Sequence, residues 1–119
     1  MADLFGNCNC LYIVLEFNRD ETTKYFKIGV CREVRNVEKR LKQLQVGNPR
    51  RLIFARIYRV EYAYETEQYL HKKYDGYKQA GEWFKVFNPD FTHIDRLVLV
   101  KNGKIIYADD DREEVFRQT

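Results

Sequence analysis

The chain has 119 residues, with 21 Lys and Arg residues against 18 Asp and Glu residues and a formal net charge of +3. This length fits one domain with its own core, and the 45% hydrophobic and 15% aromatic content excludes an intrinsically disordered chain. No apolar run approaches the roughly 20 residues that cross a bilayer, and the first residues do not resemble a signal sequence. We therefore expect an intracellular protein, in the cytoplasm, or in the nucleus or virion for a eukaryotic or viral source.

Segments rich in apolar and β-branched residues predict the strands of the domain. A polar turn over residues 18–23 joins the first two strands, and Asn102-Gly103 between the last two is a strong signal for a tight hairpin turn. The predicted strands cover residues 11–17, 24–30, 52–60, 82–87, 97–101 and 104–107.

Apolar residues at helical spacing predict the helices. A stripe that begins at Val34 and repeats through Leu44 predicts a first helix, which ends at Gly47. Asn88-Pro89 has the residue types that cap and begin a helix. The other predicted helical segments are 62–75, a short helix from 88 to about 95, and a turn from 110.

Together these elements predict an α+β fold, in which a small antiparallel sheet is flanked by helices and followed by a C-terminal β-hairpin extension. No internal repeat or linker interrupts the sequence. We expect an N-terminal segment over 1–9, a main domain over 10–87, and a helix and hairpin extension over 88–119 that packs on the same domain.

The positive charge is concentrated in residues 19–51, which carry ten Lys and Arg residues against four Asp and Glu residues. A basic cluster of this kind favours a polyanion such as nucleic acid, although it is also typical of a solvated helix face. The acidic tail that begins at Asp109 would repel a phosphate backbone, so we expect it to point away from bound nucleic acid. The residues predicted to contact nucleic acid are Arg35, Lys39, Lys42, Arg50 and Arg51.

The three cysteines, Cys8, Cys10 and Cys31, are an odd number in a chain without a predicted signal sequence. This favours free thiols in a reducing compartment over a disulfide framework. Cys8 and Cys10 are spaced too closely for a zinc knuckle, so we expect no structural zinc.

Glu67 lies on the same stripe of the predicted second helix as Leu70 and Tyr74. A carboxylate that faces a core is costly unless it is paired, hydrogen-bonded or bound to a metal, so Glu67 is a site candidate. The alternative is a position at the edge of the stripe, from which the carboxylate reaches water or a basic residue. His71 follows one turn later on the same face, and the two side chains can share a ligand.

Five short motifs follow one another along these elements. They are Cys10-Leu11-Tyr12 on the first strand, Lys27-Ile28-Gly29 on the second strand, Arg40 on the first helix, Glu67 on the second helix, and Gly81-Glu82-Trp83-Phe84 after it. In this order they resemble the GIY-YIG nuclease superfamily, and in particular the branch found in phage open reading frames and fungal meiotic genes. That branch is often described as a DNA-binding domain, and the resemblance covers residues 10–87.

The resemblance implies a site for phosphodiester hydrolysis. Tyr12 would act as the general base or orient the attacking water, helped by the positive charges of Lys27 and Arg40. Arg40 would also hold the scissile phosphate, and Glu67 would bind one Mg²⁺ or Mn²⁺ ion. His71 would support that arrangement or contact DNA.

The sequence therefore favours a metal-dependent endonuclease that acts on DNA rather than RNA. Leu44 stands where some members of the superfamily carry a histidine, so a nucleic-acid-binding module with weak or absent cleavage is the first alternative. A viral or mobile-element factor that binds another protein is the second. Each hypothesis is compatible with a homodimer or a protein partner, and none involves a membrane.

Overall fold

The computed structural model describes residues 8–17 and 23–109, which form five strands and three α-helices. The predicted turn over 18–23, apart from its last residue, and the predicted helical turn from 110 lie outside this part of the chain. Within it, no helix is long and apolar enough to span a membrane. The elements are β1 (Cys10–Glu16), β2 (Thr23–Cys31), α1 (Val37–Val46), β3 (Leu52–Arg59), α2 (Ala63–Lys73), β4 (Phe84–Phe87), α3 (Thr92–Val100) and β5 (Lys104–Ala108).

The strands form one antiparallel sheet in the order β4-β2-β1-β3-β5, which confirms the predicted α+β class. β1 takes the central position because it is apolar on both faces, and its residues from Cys10 to Leu15 are buried. β4 pairs only with residues Thr23 to Phe26 of β2. The second half of β2 therefore extends past β4, and this part of its edge faces α2 and the turn before β4.

The side chains of β1 alternate between two apolar layers, one on each face of the sheet. Leu11 and Ile13 point into the larger layer, which is covered by α2 and α3 through residues such as Leu70 and Ile94. Tyr12 points to the other face, where a smaller layer is covered by α1. Because each fully buried large apolar side chain contributes about 1.5–3 kcal/mol, the larger layer supplies most of the hydrophobic stabilisation.

The C-terminal β-hairpin predicted from Asn102-Gly103 is wrong. Residues 97–101 form the end of α3 and its C-cap instead of a strand, because Ile94 and Val98 face the core one helical turn apart. Asn102 has a φ of 63°, and the Gly103 N–H donates to the Val98 carbonyl at 2.8 Å. This geometry closes the helix as a Schellman motif. The strand predicted over 104–107 is confirmed as β5, but it pairs with β3.

The short helix predicted over 88–95 is displaced toward the C-terminus. Asn88 has a φ of 46°, which lies outside helical geometry, and α3 begins at Thr92. The Asp90 carboxylate accepts a hydrogen bond from the Thr92 N–H at 3.0 Å and so helps to fix this start. The strand predicted from residue 82 begins at Phe84, because a short 3₁₀ turn precedes it.

Candidate functional site

Tyr12 and Gly29 are directly opposed on the central pair of strands, β1 and β2. A Cβ atom at Gly29 would collide with the phenol of Tyr12, so the ring lies directly over the glycine backbone. Only 1% of Tyr12 is exposed, and the ring also makes an edge contact with Phe54 at 6.2 Å between centroids. The glycine of the second motif therefore provides the space that fixes the tyrosine of the first.

Arg40 of α1 reaches back to this phenol. Its Nε donates to Tyr12 Oη at 3.3 Å, and its Nη1 donates to Gln43 Oε1 at 3.3 Å. Burial raises the pKa of Tyr12, and the hydrogen bond and charge of Arg40 offset part of that rise. Arg40 itself is exposed, so one guanidinium joins a buried phenol to the solvent.

Lys27 lies two residues before Gly29 on β2, and therefore on the same face of the sheet. Its ammonium group donates to the Gly81 carbonyl at 3.3 Å and lies 3.9 Å from a carboxylate oxygen of Glu82. Gly81 and Glu82 have φ values of 69° and 65°, so two consecutive residues adopt the left-handed conformation. A non-glycine residue in this conformation is strained, and the contacts with Lys27 help to hold it.

Glu67 of α2 is half-buried, and burial raises the pKa of its carboxylate. The charges of His71 and Lys27 oppose this shift, and Gln68 Nε2 donates to Glu67 Oε1 at 3.0 Å. The charge of Glu67 in turn contributes to the raised pKa of Tyr12. Tyr12, Arg40 and Lys27 lie on the face of the sheet that α1 covers. α2, which carries Glu67, covers the opposite face, and Glu67 influences Tyr12 and Arg40 through its charge.

His71 links α2 to the edge of β2. Its Nε2 lies 2.9 Å from the Ile28 carbonyl, which only accepts hydrogen bonds, so Nε2 carries the proton. The ring also packs edge-on against Phe84 at 5.4 Å. These contacts hold the helix that carries Glu67, and the proposed contact of His71 with DNA stays a prediction.

A divalent cation is compatible with this arrangement through a single protein ligand. Among residues 8–17 and 23–109, no group of three or more His, Cys, Asp or Glu side chains is placed to hold a metal. Mg²⁺ often binds through one or two carboxylates and completes its shell with water and substrate phosphates. The partly desolvated carboxylate of Glu67 fits that pattern.

The basic residues predicted to bind nucleic acid are exposed, and several have partners within the chain. Arg35 pairs with Glu33, and Arg50 lies 3.7 Å from Glu16. The Arg51 guanidinium stacks over the Phe17 ring at 5.5 Å from its centroid. Lys39 and Lys42 are exposed on α1, the helix that carries Arg40. The role of all these residues in nucleic-acid binding stays a prediction.

Glu82 and Cys31 lie near the site and are not among the predicted site residues, although Glu82 belongs to the fifth motif. Glu82 contacts Lys27, and Cys31 is close enough for its charge to affect the pKa values of Tyr12 and Arg40. Cys31 could have been predicted from the sequence, because it follows Gly29 by two residues on the same strand and therefore lies on the same face. Glu82 depends on the left-handed turn, which the sequence does not specify.

A family model for the T5orf172 domain matches residues 9–99, which include every element from β1 to most of α3. The chain belongs to the T5orf172 domain family. This family is phage-associated, has GIY-YIG-like and HNH nuclease-like relatives, and is associated with nucleic-acid binding. The T5orf172 match extends beyond residue 87, where the sequence resemblance ended. Searches of curated proteins and of solved structures gave no match.

Proposed function

We propose that this T5orf172 domain is a metal-dependent endonuclease that hydrolyses DNA phosphodiester bonds. One observation carries the proposal: the hydrogen bond between Tyr12 and Arg40, on the face of the sheet that also holds Lys27 and lies within electrostatic reach of Glu67. Phosphodiester hydrolysis needs a positioned water, a cation on the phosphate and help for the leaving oxygen. These residues supply groups suited to each task.

Arg40 binds the scissile phosphate in this proposal. Its Nε and Nη1 atoms donate to Tyr12 and Gln43 and so hold the side chain in place. Nη2 can then donate to a phosphate oxygen. Hydrogen bonds between a guanidinium and a phosphate are short and charge-assisted. A guanidinium fixed in this way loses little side-chain entropy on binding, and it stabilises negative charge as it develops on the phosphate.

Tyr12 positions the attacking water in this proposal. Because burial raises its pKa, the phenol is neutral at neutral pH and acts as a hydrogen-bond donor rather than as a ready base. Its hydrogen bond from Arg40 and its contact with Gly29 hold the ring in place, and the O–H group would donate to a water beside the bound phosphate. Lys27 adds positive charge at the same face of the sheet.

Glu67 would hold the Mg²⁺ or Mn²⁺ ion, which when bound supplies positive charge for the leaving oxygen. The protein's own contribution is to keep this carboxylate partly desolvated and fixed on a helix. His71 anchors that helix to β2 through the Ile28 carbonyl, and Gln68 donates to the carboxylate. The contact with Gln68 limits the rotation of the Glu67 side chain, and the contact of His71 holds the helix in place.

A nucleic-acid-binding module without cleavage is the second candidate. The raised pKa of Tyr12 favours it, because a buried neutral phenol is a poor base. Leu44 also favours it, because this residue packs against the apolar layer under α1 and adds no titratable group. Both candidates use the same basic surface and differ only in the chemical step.

Nicking of supercoiled plasmid tests the proposal. We expect the wild-type chain to nick DNA with Mg²⁺ or Mn²⁺ and to stop when the metal is chelated. Glu67→Gln should abolish the metal-dependent reaction, whereas Glu65→Gln, which neutralises an exposed carboxylate on the same helix, should retain it. A wild-type chain that leaves the plasmid intact with either ion between about pH 6 and about pH 9 contradicts cleavage.

A parallel binding assay separates the two candidates. DNA affinity that falls steeply with salt, without nicking, supports the binding module. The double variant Lys39→Ala/Lys42→Ala should then weaken binding and reduce the salt dependence. If affinity does not change between low and moderate salt, both candidates fail.

A further inference from the structure

Cys10 and Cys31 are directly opposed on β1 and β2, two residues along each strand from the opposed pair Tyr12 and Gly29. Opposed residues on antiparallel strands have Cα atoms about 4.5 to 5.5 Å apart. Disulfide-bonded cysteines span about 4.4 to 6.8 Å between Cα atoms, so this pair needs no movement of the strands. Both side chains lie at the face covered by α1, whereas Cys8 belongs to the opposite layer.

The two thiols influence each other's ionisation. Their interaction raises the pKa of Cys10 and lowers that of Cys31. The charge of Arg40 lowers the pKa of Cys31 further. When it is protonated, Cys31 donates to the Glu33 carbonyl at 3.4 Å. Cys31 is half-buried and Cys10 is fully buried, so Cys31 is the thiol that meets a reagent from solvent.

We propose that Cys10 and Cys31 form a reversible oxidation site, which closes as a disulfide between β1 and β2 beside the Tyr12–Arg40 pair. The oxidant is a peroxide, and a cellular or added thiol is the reductant. The site itself follows from the register of the strands and does not depend on nuclease activity.

The reaction proceeds in two steps. The Cys31 thiolate attacks one oxygen of hydrogen peroxide, so that an S–O bond forms, the O–O bond breaks, and the departing hydroxide takes a proton to become water. The Cys10 sulfur then attacks the sulfenic sulfur of Cys31, the S–S bond forms, and the hydroxyl leaves with the Cys10 proton as a second water. Two thiols thus lose two electrons to one peroxide, and a thiol reductant reverses the change by exchange.

Oxidation also changes the charge beside the proposed nuclease site. The Cys31 thiolate raises the pKa of both Tyr12 and Arg40, and a disulfide carries no charge. Any effect of this change on nicking rests on the proposed function, whereas formation of the disulfide does not.

Thiol counting and peptide mapping test the site directly. We expect hydrogen peroxide to reduce the number of titratable thiols from three to one in the full chain, with recovery after dithiothreitol. Mass spectrometry should show the loss of two hydrogens and a peptide cross-link between Cys10 and Cys31. The matched control Cys8→Ser should go from two thiols to none, whereas Cys31→Ser should form no intramolecular disulfide.

Several results overturn the proposal. These are a cross-link that contains Cys8, a cross-link between two chains, a stable sulfenic acid without closure, or three thiols that survive a peroxide dose able to oxidise a free cysteine peptide. The wild-type peptide map decides among them even if a variant folds poorly, as judged by circular dichroism. Absence of nicking leaves this test unchanged, so the failure of the proposed function and the failure of the oxidation site are distinguishable.

Discussion

Tyr12 and Tyr58 lie on adjacent strands, are at most 1% exposed, and each hydrogen-bonds within a group that includes an arginine, yet the two groups differ in their access to solvent. The Tyr58 hydroxyl donates to Asp95 at 2.7 Å, and Arg56 donates to the same carboxylate through Nε and Nη2 at 3.0 and 3.3 Å. Burial and the Asp95 hydrogen bond raise the pKa of Tyr58. Every member of this group finds its hydrogen-bond partners inside the protein.

The group formed by Tyr12 and Arg40 is open to solvent. Arg40 is exposed, whereas Arg56 is only 6% exposed, and a neutral glutamine takes the place that Asp95 holds beside Arg56. Glu67 acts on this group through its charge rather than by pairing with Arg40. A buried phenol with an arginine is therefore not a site by itself. In the proposed function, the surface charge of Arg40 is what suits the Tyr12 group to a phosphate.

The largest expected effect is on stability, in the group of Tyr58, Arg56 and Asp95, which is closed to solvent. Asp95→Ala leaves the buried Arg56 guanidinium without its carboxylate, so we expect the free energy of unfolding to fall by about 3 kcal/mol or more. Urea unfolding measures this loss. Asp90→Ala, at an exposed carboxylate near the start of the same helix, should cost about 1 kcal/mol. Equal losses in the two variants would contradict the distinction between open and closed groups.

Arg40→Ala should affect activity more than stability, in contrast to Asp95→Ala. We expect a change of about 1 kcal/mol or less in stability, because the side chain is exposed, and a loss of about 100- to 1000-fold in nicking rate. Arg96→Ala, which removes an exposed arginine from α3, is the control for charge. Arg40→Lys keeps the charge but loses the planar fork, so it should restore binding more than cleavage. Full activity in Arg40→Ala would contradict the assignment.

Gly29→Ala tests how Tyr12 is held. The added Cβ would collide with the phenol, so we expect a loss of about 2 kcal/mol in unfolding free energy. Gly76→Ala is the control, because a Cβ at that position meets no atom within 4 Å. Combining Gly29→Ala with Tyr12→Leu should recover part of the loss in a double-mutant cycle. Strictly additive losses would show that the phenol and the glycine do not constrain each other.

The smallest expected effect is a pH dependence of stability at His93. Burial and the charge of Lys73 lower the pKa of His93, and the Tyr74 hydroxyl, whose own pKa is raised to about 12, lies at hydrogen-bond distance from His93 Nε2, at 2.6 Å. The unfolded chain binds this proton more readily than the folded chain. Stability should therefore be highest above the unfolded pKa near 6.5 and fall as the pH drops through it. Urea midpoints measured along this range should decline less in His93→Gln.

The parts of the fold with one clear pattern were predictable from the sequence, and the ambiguous parts were not. The run of β1 is rich in β-branched and aromatic residues, the stripe of α1 has the helical period, and both elements are confirmed. Residues 97–101 form a short, mostly apolar run, and such a run is compatible with a strand and with a helix. Asn102-Gly103 then favoured the hairpin, because left-handed residues serve hairpin turns and helix C-caps alike. The packing of Ile94 and Val98 decides between them, and that is a tertiary property.

The sequence proposes the members of the site but does not specify their contacts. The order of motifs selects Tyr12, Lys27, Arg40 and Glu67, but their roles stay predictions. No sequence pattern shows that Arg40 Nε donates a hydrogen bond to a phenol, because an arginine on an exposed helix face can adopt several rotamers. The contact of Lys27 with Gly81 likewise depends on loop geometry rather than on residue type.

The turn that meets Lys27 is followed directly by Trp83, the single tryptophan of the chain. Its indole packs against the apolar layer beneath α1, on the same side of the sheet as Tyr12. Fluorescence excited at the red edge of the absorption band therefore comes from one position, next to the place where DNA is proposed to bind. The protein carries its own optical probe, and titrations with oligonucleotide or metal require no attached dye.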